Sequence, residues 1–387
     1  MRKQVVVTES IIRTFIFVAF ITAFGVLGAF LPDREYSPQE NRYLTTASAP
    51  SLQSLASGEY MRRFDRYLTD QFPMRDTWVS LKAISQKEAG QKENNDVFFA
   101  GIGYLIGKPL TDDGDILERN LSGVLGLRDA GYDTGLLVSP MAAEVLRDRL
   151  PRFAYDPVQR ELLSRLKAEA GDVFIDVGQG LHEADAMGYQ VFFRTDHHWT
   201  MRGAYEAYVA YMNWLGEEPF LLESYDTRVA SETFYGTLWS KSSHPGIKPD
   251  RIVVFEIKDF DEVEVEYTEG SRAWTVSGLY QPEYLEQKDK YAYFLGQNRP
   301  LAVIRHTRGP NTERKLLIFK DSYAHSFAPF LLPHFDEIHL VDLRYYKQDP
   351  IAYMLEHDIS QVLFLYNADN FATERSVSQV GAYLSMH

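Results

Sequence analysis

The stretch Lys315-Leu316-Leu317-Ile318-Phe319-Lys320-Asp321-Ser322-Tyr323 runs an apolar strand straight into an acidic residue and a serine. A short apolar run without polar alternation fits a strand buried on both faces of a parallel sheet. Four other runs read the same way: Gly135-Leu136-Leu137-Val138-Ser139, Val173-Phe174-Ile175-Asp176-Val177, Ile338-His339-Leu340-Val341-Asp342-Leu343 and Val362-Leu363-Phe364-Leu365-Tyr366. Helical stretches separate many of them, near residues 113–130, 157–170, 200–215, 323–332 and 349–357. Apolar strands alternating with helices predict an α/β fold, a parallel sheet flanked by helices. Residues 226–306 differ. Ile252-Val253-Val254-Phe255 and Val263-Glu264-Val265-Glu266-Tyr267 predict strands of a β-rich insertion or antiparallel flank.

In an α/β sheet, functional groups collect beyond the carboxyl ends of the strands. Ser322 is expected at such a turn, beside the first N–H groups of a helix beginning near Tyr323. Those donors and the helix dipole suit an oxyanion. Asp and Ser are also ordinary helix caps, so this segment alone does not define a site. A second stretch, Phe192-Phe193-Arg194-Thr195-Asp196-His197-His198-Trp199-Thr200, supplies what a serine nucleophile lacks. A serine hydroxyl needs an imidazole to take its proton and a carboxylate to orient that imidazole. In an extended turn alternate side chains face the same way, which pairs Asp196 with His198 and turns His197 elsewhere. Spacing alone does not fix that choice. Capping of the following helix by Thr195 or Asp196, and metal binding by the paired histidines, are competing readings. No familiar ligand spacing such as His-Glu-x-x-His is present, and neither metal nor cofactor is expected. His325 is expected nearly one helical turn from Ser322, as pocket lining or surface.

The chain has 387 residues, 45% hydrophobic and 14% aromatic, enough for a packed core. Its formal net charge of −14 argues against nucleic acid, which selects a basic stripe. It contains no cysteine, so disulfides, zinc–thiolate sites and thiol nucleophiles are excluded. Residues 14–31 form an uncharged apolar run, close to the minimum of about 18 residues for a membrane-spanning helix. Arg2, Lys3 and Arg13 precede it, which places residues 1–13 in the cytoplasm and everything after Leu31 outside. Gly28-Ala29-Phe30 is a poor cleavage site, so an uncleaved anchor in the cell membrane is expected rather than a signal peptide. Residues 32–57, with Pro32, Pro38 and Pro50, read as a linker. From Gly58 to Lys82, Tyr60, Phe64, Tyr67, Leu68 and Phe72 recur at helical spacing until Pro73 ends or kinks the helix. Residues 58–387 are expected to form the extracytoplasmic domain.

These motifs together resemble the DHHW family, and more distantly the SGNH-hydrolase-like proteins that acetylate alginate outside the cytoplasmic membrane. The resemblance rests on Phe64-Asp65-Arg66-Tyr67-Leu68-Thr69-Asp70-Gln71-Phe72-Pro73-Met74-Arg75-Asp76, Ser139-Pro140, Leu150-Pro151, Arg194 to Trp199, Tyr235-Gly236-Thr237-Leu238-Trp239-Ser240-Lys241 and Lys320 to Tyr323. It implies an SGNH-hydrolase-like (flavodoxin-like) fold in which the Asp-x-His element precedes the serine. Carried over by motif, Ser322 is the nucleophile, His198 the general base and Asp196 the orienting carboxylate. Lys320 stands where the SGNH block has glycine, and the glycine and asparagine blocks that complete an oxyanion hole are not evident. Asn367 and Asn370 are candidates for that hole. Tyr323, Tyr235, Trp199 and Arg194 are candidate pocket or substrate contacts. The resemblance implies acetyl transfer to, or acetyl-ester hydrolysis on, a cell-surface polysaccharide, with a membrane-bound O-acyltransferase as partner. A noncatalytic carbohydrate-binding or assembly protein, using Trp199, Trp239 and Tyr235 to stack on sugars, is the rival reading. A secreted esterase, released by cleavage after the apolar run, is the third.

Overall fold

The computed structural model describes residues 2–110, 114–258, 263–306 and 312–387. Met1, residue 113 and residues 259–262, which fall within the expectations above, lie outside the described residues. The chain forms two compact units, Met1–Gln91 with Ser243–Pro245, and Lys92–Ser242 with Gly246–His387.

The first unit begins with helix α1 (Arg2–Phe30). Its part Ile11–Phe30 has a mean hydropathy of 2.1 over 20 residues, long and apolar enough to cross a membrane. Helices α2 (Glu59–Asp70) and α3 (Arg75–Glu88) follow. Pro73 separates them, because it offers no N–H to continue the ladder. The buried Asp70 accepts from Arg42 Nη2 at 2.5 Å and from the Thr45 amide at 2.9 Å. Burial alone would raise its pKa, but the bonds from Arg42 and Thr45 together outweigh burial and hold it down at about 2.

The second unit carries an eight-stranded sheet. Its strands are β1 (Asp133–Ser139), β2 (Phe174–Ile175), β3 (Val263–Glu269), β4 (Arg272–Ser277), β5 (Leu301–His306), β6 (Lys315–Lys320), β7 (Glu337–Val341) and β8 (Gln361–Asn367). In space they run β4-β3-β5-β7-β6-β8-β1-β2. From β7 to β2 every pairing is parallel, whereas β3, β4 and β5 add antiparallel strands at one edge. The β-rich insertion thus extends the parallel sheet. Its strand Asp250–Ile257 pairs instead with Tyr225–Phe234 as a separate antiparallel ribbon.

The period of two along β6 divides the core. Leu316 and Ile318 enter one apolar cluster with Tyr208 and Tyr211 of helix Met201–Leu215. Leu317 and Phe319 enter another with Val124 of Gly114–Asp129, Leu166 of Val158–Ala170 and Met354 of Pro350–Glu356. All four β6 side chains are fully buried, each contributing about 1.5–3 kcal/mol. After β6 the chain crosses to β7 on one side and returns to β8 on the other. The carboxyl ends of β6 and β8 therefore flank a topological switch point, where α/β sheets place their ligands. The helix expected over residues 323–332 is shorter. It is one α-turn, Ala324–Phe327, followed by a 3-10 turn, Ala328–Leu331. Pro329 explains the change, since it cannot donate to the carbonyl four residues back.

Helix Met201–Leu215 is capped by Thr200, whose side chain accepts from the Gly203 amide. A Cβ on Gly203 would lie 2.3 Å from the Val191 carbonyl oxygen, a backbone atom that cannot turn aside. Gly203→Ala is therefore expected to cost about 1–3 kcal/mol, read as a lower melting temperature. An unchanged melting temperature would show that the helix does not approach Val191 so closely.

Candidate active site

The turn from Val191 to Thr200 is closed by its own backbone and by a distant carboxylate. Phe192 and Trp199 bridge antiparallel. Asp250, at the start of the ribbon strand, accepts from Gln190 Nε2, the Arg194 amide, the Thr195 amide and Thr195 Oγ1 at 2.7–2.9 Å. This holds Asp196 and His198 in place. Asp196 Oδ1 accepts from the His198 amide at 3.0 Å and meets His198 Nδ1 at 2.5 Å. Asp196 Oδ2 accepts from the Thr237 amide at 2.7 Å and from Thr237 Oγ1 at 2.9 Å. Burial would raise the Asp196 pKa, but His197, His198 and the Thr237 bond hold it far below the carboxylate range.

His198 Nε2 lies 2.6 Å from Ser322 Oγ, at the carboxyl end of β6. With the carboxylate accepting at Nδ1, the ring proton belongs there, leaving Nε2 a lone pair toward the serine hydroxyl. Ser322, His198 and Asp196 are thus brought into one hydrogen-bonded line. His197 turns away, its Nδ1 2.7 Å from Thr237 Oγ1. Burial, then the neighbouring His198, lowers its pKa. The ligand atoms of Asp196, His197 and His198 lie within 4.8 Å of one another, a spacing a metal ion would accept. Both oxygens of Asp196, both nitrogens of His198 and Nδ1 of His197 are already engaged in the bonds above, so a metal would have to displace them.

Several supports were not legible in the sequence. The Tyr291 ring stacks on His198, with centroids 3.6 Å apart and planes 5° from parallel. Its hydroxyl donates to the Ser322 carbonyl at 3.1 Å, so one residue orients both sides of the His198–Ser322 pair. Nothing but an aromatic residue in a polar stretch marks it in the sequence. Behind the serine, buried Lys320 donates to Asn298 Oδ1 at 2.8 Å and to His325 Nε2 at 2.7 Å. Asp342 Oδ2 lies 3.6 Å from the same ammonium and also pairs with Arg344. Burial pushes the Lys320 pKa down to about 8 against the opposing Asp342. A lysine only donates, so Asn298 must present its oxygen to Lys320, which leaves its Nδ2 for another partner. Ser322, His198, His325 and Asn298 line one cleft of about 500 Å³, with Thr237, Asp289, Arg299 and Tyr345.

The remaining candidates sit elsewhere. Asn367 and Asn370 do not face the cleft. Their side-chain amides both donate to Asp321 Oδ2 at 2.8 Å, and the Asn367 backbone joins them. The expected helix-start donors are also spent. The Tyr323 amide donates to Asp321 Oδ1, that of Ala324 to the Asp321 carbonyl and that of His325 to the Ser322 carbonyl. Trp199 is fully buried, its indole donating to the Tyr323 carbonyl and Ser326 Oγ, so it cannot stack on a sugar. Tyr323 is buried beneath the turn, its hydroxyl donating to the His197 carbonyl at 2.5 Å. Arg194 lies over the Tyr104 ring. Tyr235 packs on Trp239, with Lys288 above both rings. None of these six residues lines the cleft.

The fold and site define an α/β protein with an Asp–His–Ser line at the switch point of a mostly parallel sheet. The DHHW protein family model matches residues 147–341, half of the chain, and the chain belongs to the DHHW family. Among solved structures, a DHHW family protein from Eubacterium siraeum shares 21% identity, with a TM-score of 0.62 over 74% of this chain and 95% of that one. Bacillus cereus PatB1, solved with a sulfonyl adduct, shares 21% identity, with a TM-score of 0.60 over 73% of this chain and 99% of its own. The O-acetyltransferase domain of Pseudomonas putida AlgJ is looser, at 16% identity and a TM-score of 0.46 over 75% and 99%. No curated protein matches the chain significantly. The first two likenesses show that this chain shares the fold of those proteins.

Lys320 makes a measurable prediction. Its pKa is depressed on folding, so between about pH 8 and the ordinary lysine value the unfolded chain binds more protons than the folded one. Stability must rise with pH across that window. Thermal or denaturant unfolding of the wild type is expected to gain on the order of 1–3 kcal/mol over Lys320→Met between pH 8 and 10.5. Parallel pH profiles for the two proteins would contradict a buried, titrating Lys320.

Proposed function

We propose that this chain is a membrane-anchored, extracytoplasmic enzyme of polysaccharide O-acetylation, using Ser322 as nucleophile, His198 as general base and Asp196 as orienting carboxylate. The observation that carries the reading is the 2.6 Å contact between His198 Nε2 and Ser322 Oγ, with Asp196 on the opposite ring nitrogen. His198 takes the Ser322 proton as Oγ attacks an acetyl carbonyl. The tetrahedral oxyanion needs a donor from the cleft wall, and Asn298 Nδ2, freed by the bond between its oxygen and Lys320, is the candidate. Collapse expels the donor's alcohol, which leaves with the proton from His198. The acetyl-serine is then resolved by a sugar hydroxyl in transfer, or by water in hydrolysis, with His198 again taking the proton.

The acetyl group and the polysaccharide come from the DHHW and SGNH-like resemblance. The anchor comes from the apolar α1 and its basic flank. A membrane-bound O-acyltransferase that hands acetyl groups across the membrane is the proposed partner. Its repeated absence from material copurified out of the native membrane would count against it.

The PatB1 adduct recommends a sulfonyl fluoride as probe. The full chain in detergent is expected to gain one sulfonyl group, located at Ser322 by peptide mapping. It should also turn over a chromogenic acetyl ester. Ser322→Ala should lose both, and His198→Ala should slow both by several orders of magnitude. Asn298→Ala is expected to reduce ester turnover about 10²–10³-fold while leaving the fold intact. Polysaccharide acceptors added to the acetyl-enzyme then separate transfer from hydrolysis. Folded protein that neither takes the probe nor turns over ester, yet binds polysaccharide, would establish the carbohydrate-binding protein instead.

A further inference from the structure

Helices α2 and α3 carry an apolar face that the described residues leave open. Met61, Phe64 and Leu68 recur along α2 at spacings of three and four, and Trp78 and Leu81 continue the pattern on α3. Met61, Leu68 and Leu81 are each more than half exposed. A contiguous patch of this kind on a small unit marks an interaction surface. What abuts it identifies the occupant. Phe72, at the bend between the helices, stacks on Phe24 of α1 with centroids 5.3 Å apart, and Trp78 meets Phe24 and Phe20 edge-on. Both α1 residues lie inside the apolar span Ile11–Phe30. Phe24 is six residues from the end of that span, about 9 Å along the helix. Helices lying in a bilayer interface bury their apolar faces about 5–10 Å deep. The opposite face of α2 presents Arg62, Arg63 and Arg66, which line a recess of about 360 Å³ with Tyr43 and Glu59.

We propose that α2 and α3 form a second membrane contact, bedded in the outer interface of the phospholipid bilayer that α1 crosses, with Arg62, Arg63 and Arg66 turned toward headgroup phosphates. The inference rests on reading α1 as an uncleaved anchor. A lone span leaves the following chain free to swing away from the membrane. An interfacial pair of helices fixes where that chain leaves the bilayer.

The absence of native cysteine makes the test direct. Leu68→Cys, Leu81→Cys and, on the polar face beside the arginines, Glu59→Cys each take one environment-sensitive fluorophore in the full chain, reconstituted into phosphatidylcholine–phosphatidylglycerol vesicles. All three positions are exposed, so the substitutions do not disturb packing. Probes at 68 and 81 are expected to be quenched by lipids brominated on the acyl chain and protected severalfold from aqueous iodide. The probe at 59 should behave in the opposite way. Combining Arg62→Gln, Arg63→Gln and Arg66→Gln should weaken bromolipid quenching at 68 at least twofold; unchanged quenching would remove the arginines from the contact. Probes at 68 and 81 as open to iodide as the one at 59, in a chain that resists alkaline extraction, would overturn the interfacial contact and leave the anchor standing. Shielding from iodide without bromolipid quenching would overturn it in favour of a protein partner or a second copy. Release of the chain by alkaline extraction would bring down the anchor reading itself, and this inference with it.

Discussion

Three buried aspartates hold the second unit's chemistry in place, and each is saturated by four donors. Asp250 gathers Gln190, Arg194 and Thr195. Asp196 gathers His198 and Thr237. Asp321 gathers Tyr323, Asn367 and Asn370. A carboxylate taken out of water is expensive unless its lone pairs are filled, and breaking such a network costs far more than its net contribution to folding. Each carboxylate therefore dictates where its partners lie: the Asp-His-His-Trp turn against the ribbon, Thr237 against that turn, and the β8 loop against the β6 loop. Ser322 follows Asp321 directly and meets the ring that Asp196 orients. The arrangement leaves no slack at Gly236, where a Cβ would fall 2.2 Å from that of Asp196. The Tyr-Gly-Thr segment is thus part of the site through its backbone, although Tyr235 never reaches the cleft.

Saturating Asp321 has a chemical consequence. The amides at the start of the short helix after Ser322, and the asparagines after β8, are the donors a sequence reader would assign to an oxyanion. The structure consumes them in holding the loops together. Stabilisation of developing charge then falls to donors other than these, among them Asn298 across the cleft, which has one end of its amide pinned by Lys320. The lysine in the glycine position is then no defect of the motif. It is a buried cation, countered by Asp342, that sets the orientation of a neutral donor.

The parallel strands and most flanking helices were legible because their signal is local. An uninterrupted apolar run such as Leu316 to Phe319 has few alternatives, although the helix after the Asp-His-His-Trp turn is capped by Thr200 and not by Thr195 or Asp196. The Asp196–His198 pairing was legible because it spans two residues in one turn. Tyr291, Asn298 and the role of Lys320 were not, because each depends on a contact across 20 or more residues, or on a sheet whose strand order no local pattern encodes. Trp199 misleads for the opposite reason. Its aromatic ring beside the histidines suggests a sugar platform, but its indole N–H already has two buried partners. The short helix after Ser322 was readable in principle, since Pro329 announces it.

Transfer and hydrolysis share the acyl-serine and the general base, so the choice between them turns on what reaches the acyl carbon. The cleft is open and polar at its rim, with Thr237, Asp289, Arg299 and Tyr345 along it. It does not shut water out as a closed apolar site would. On the proposed reading, an enzyme of this shape favours a sugar hydroxyl only by binding the acceptor so that one hydroxyl stands beside His198. Oriented groups reach effective molarities far above that of bulk water, which suffices for transfer without dehydrating the site. Selectivity would then reside in the rim residues that grip the acceptor rather than in the Asp–His–Ser line, and proteins with the same line would differ in outcome by those residues.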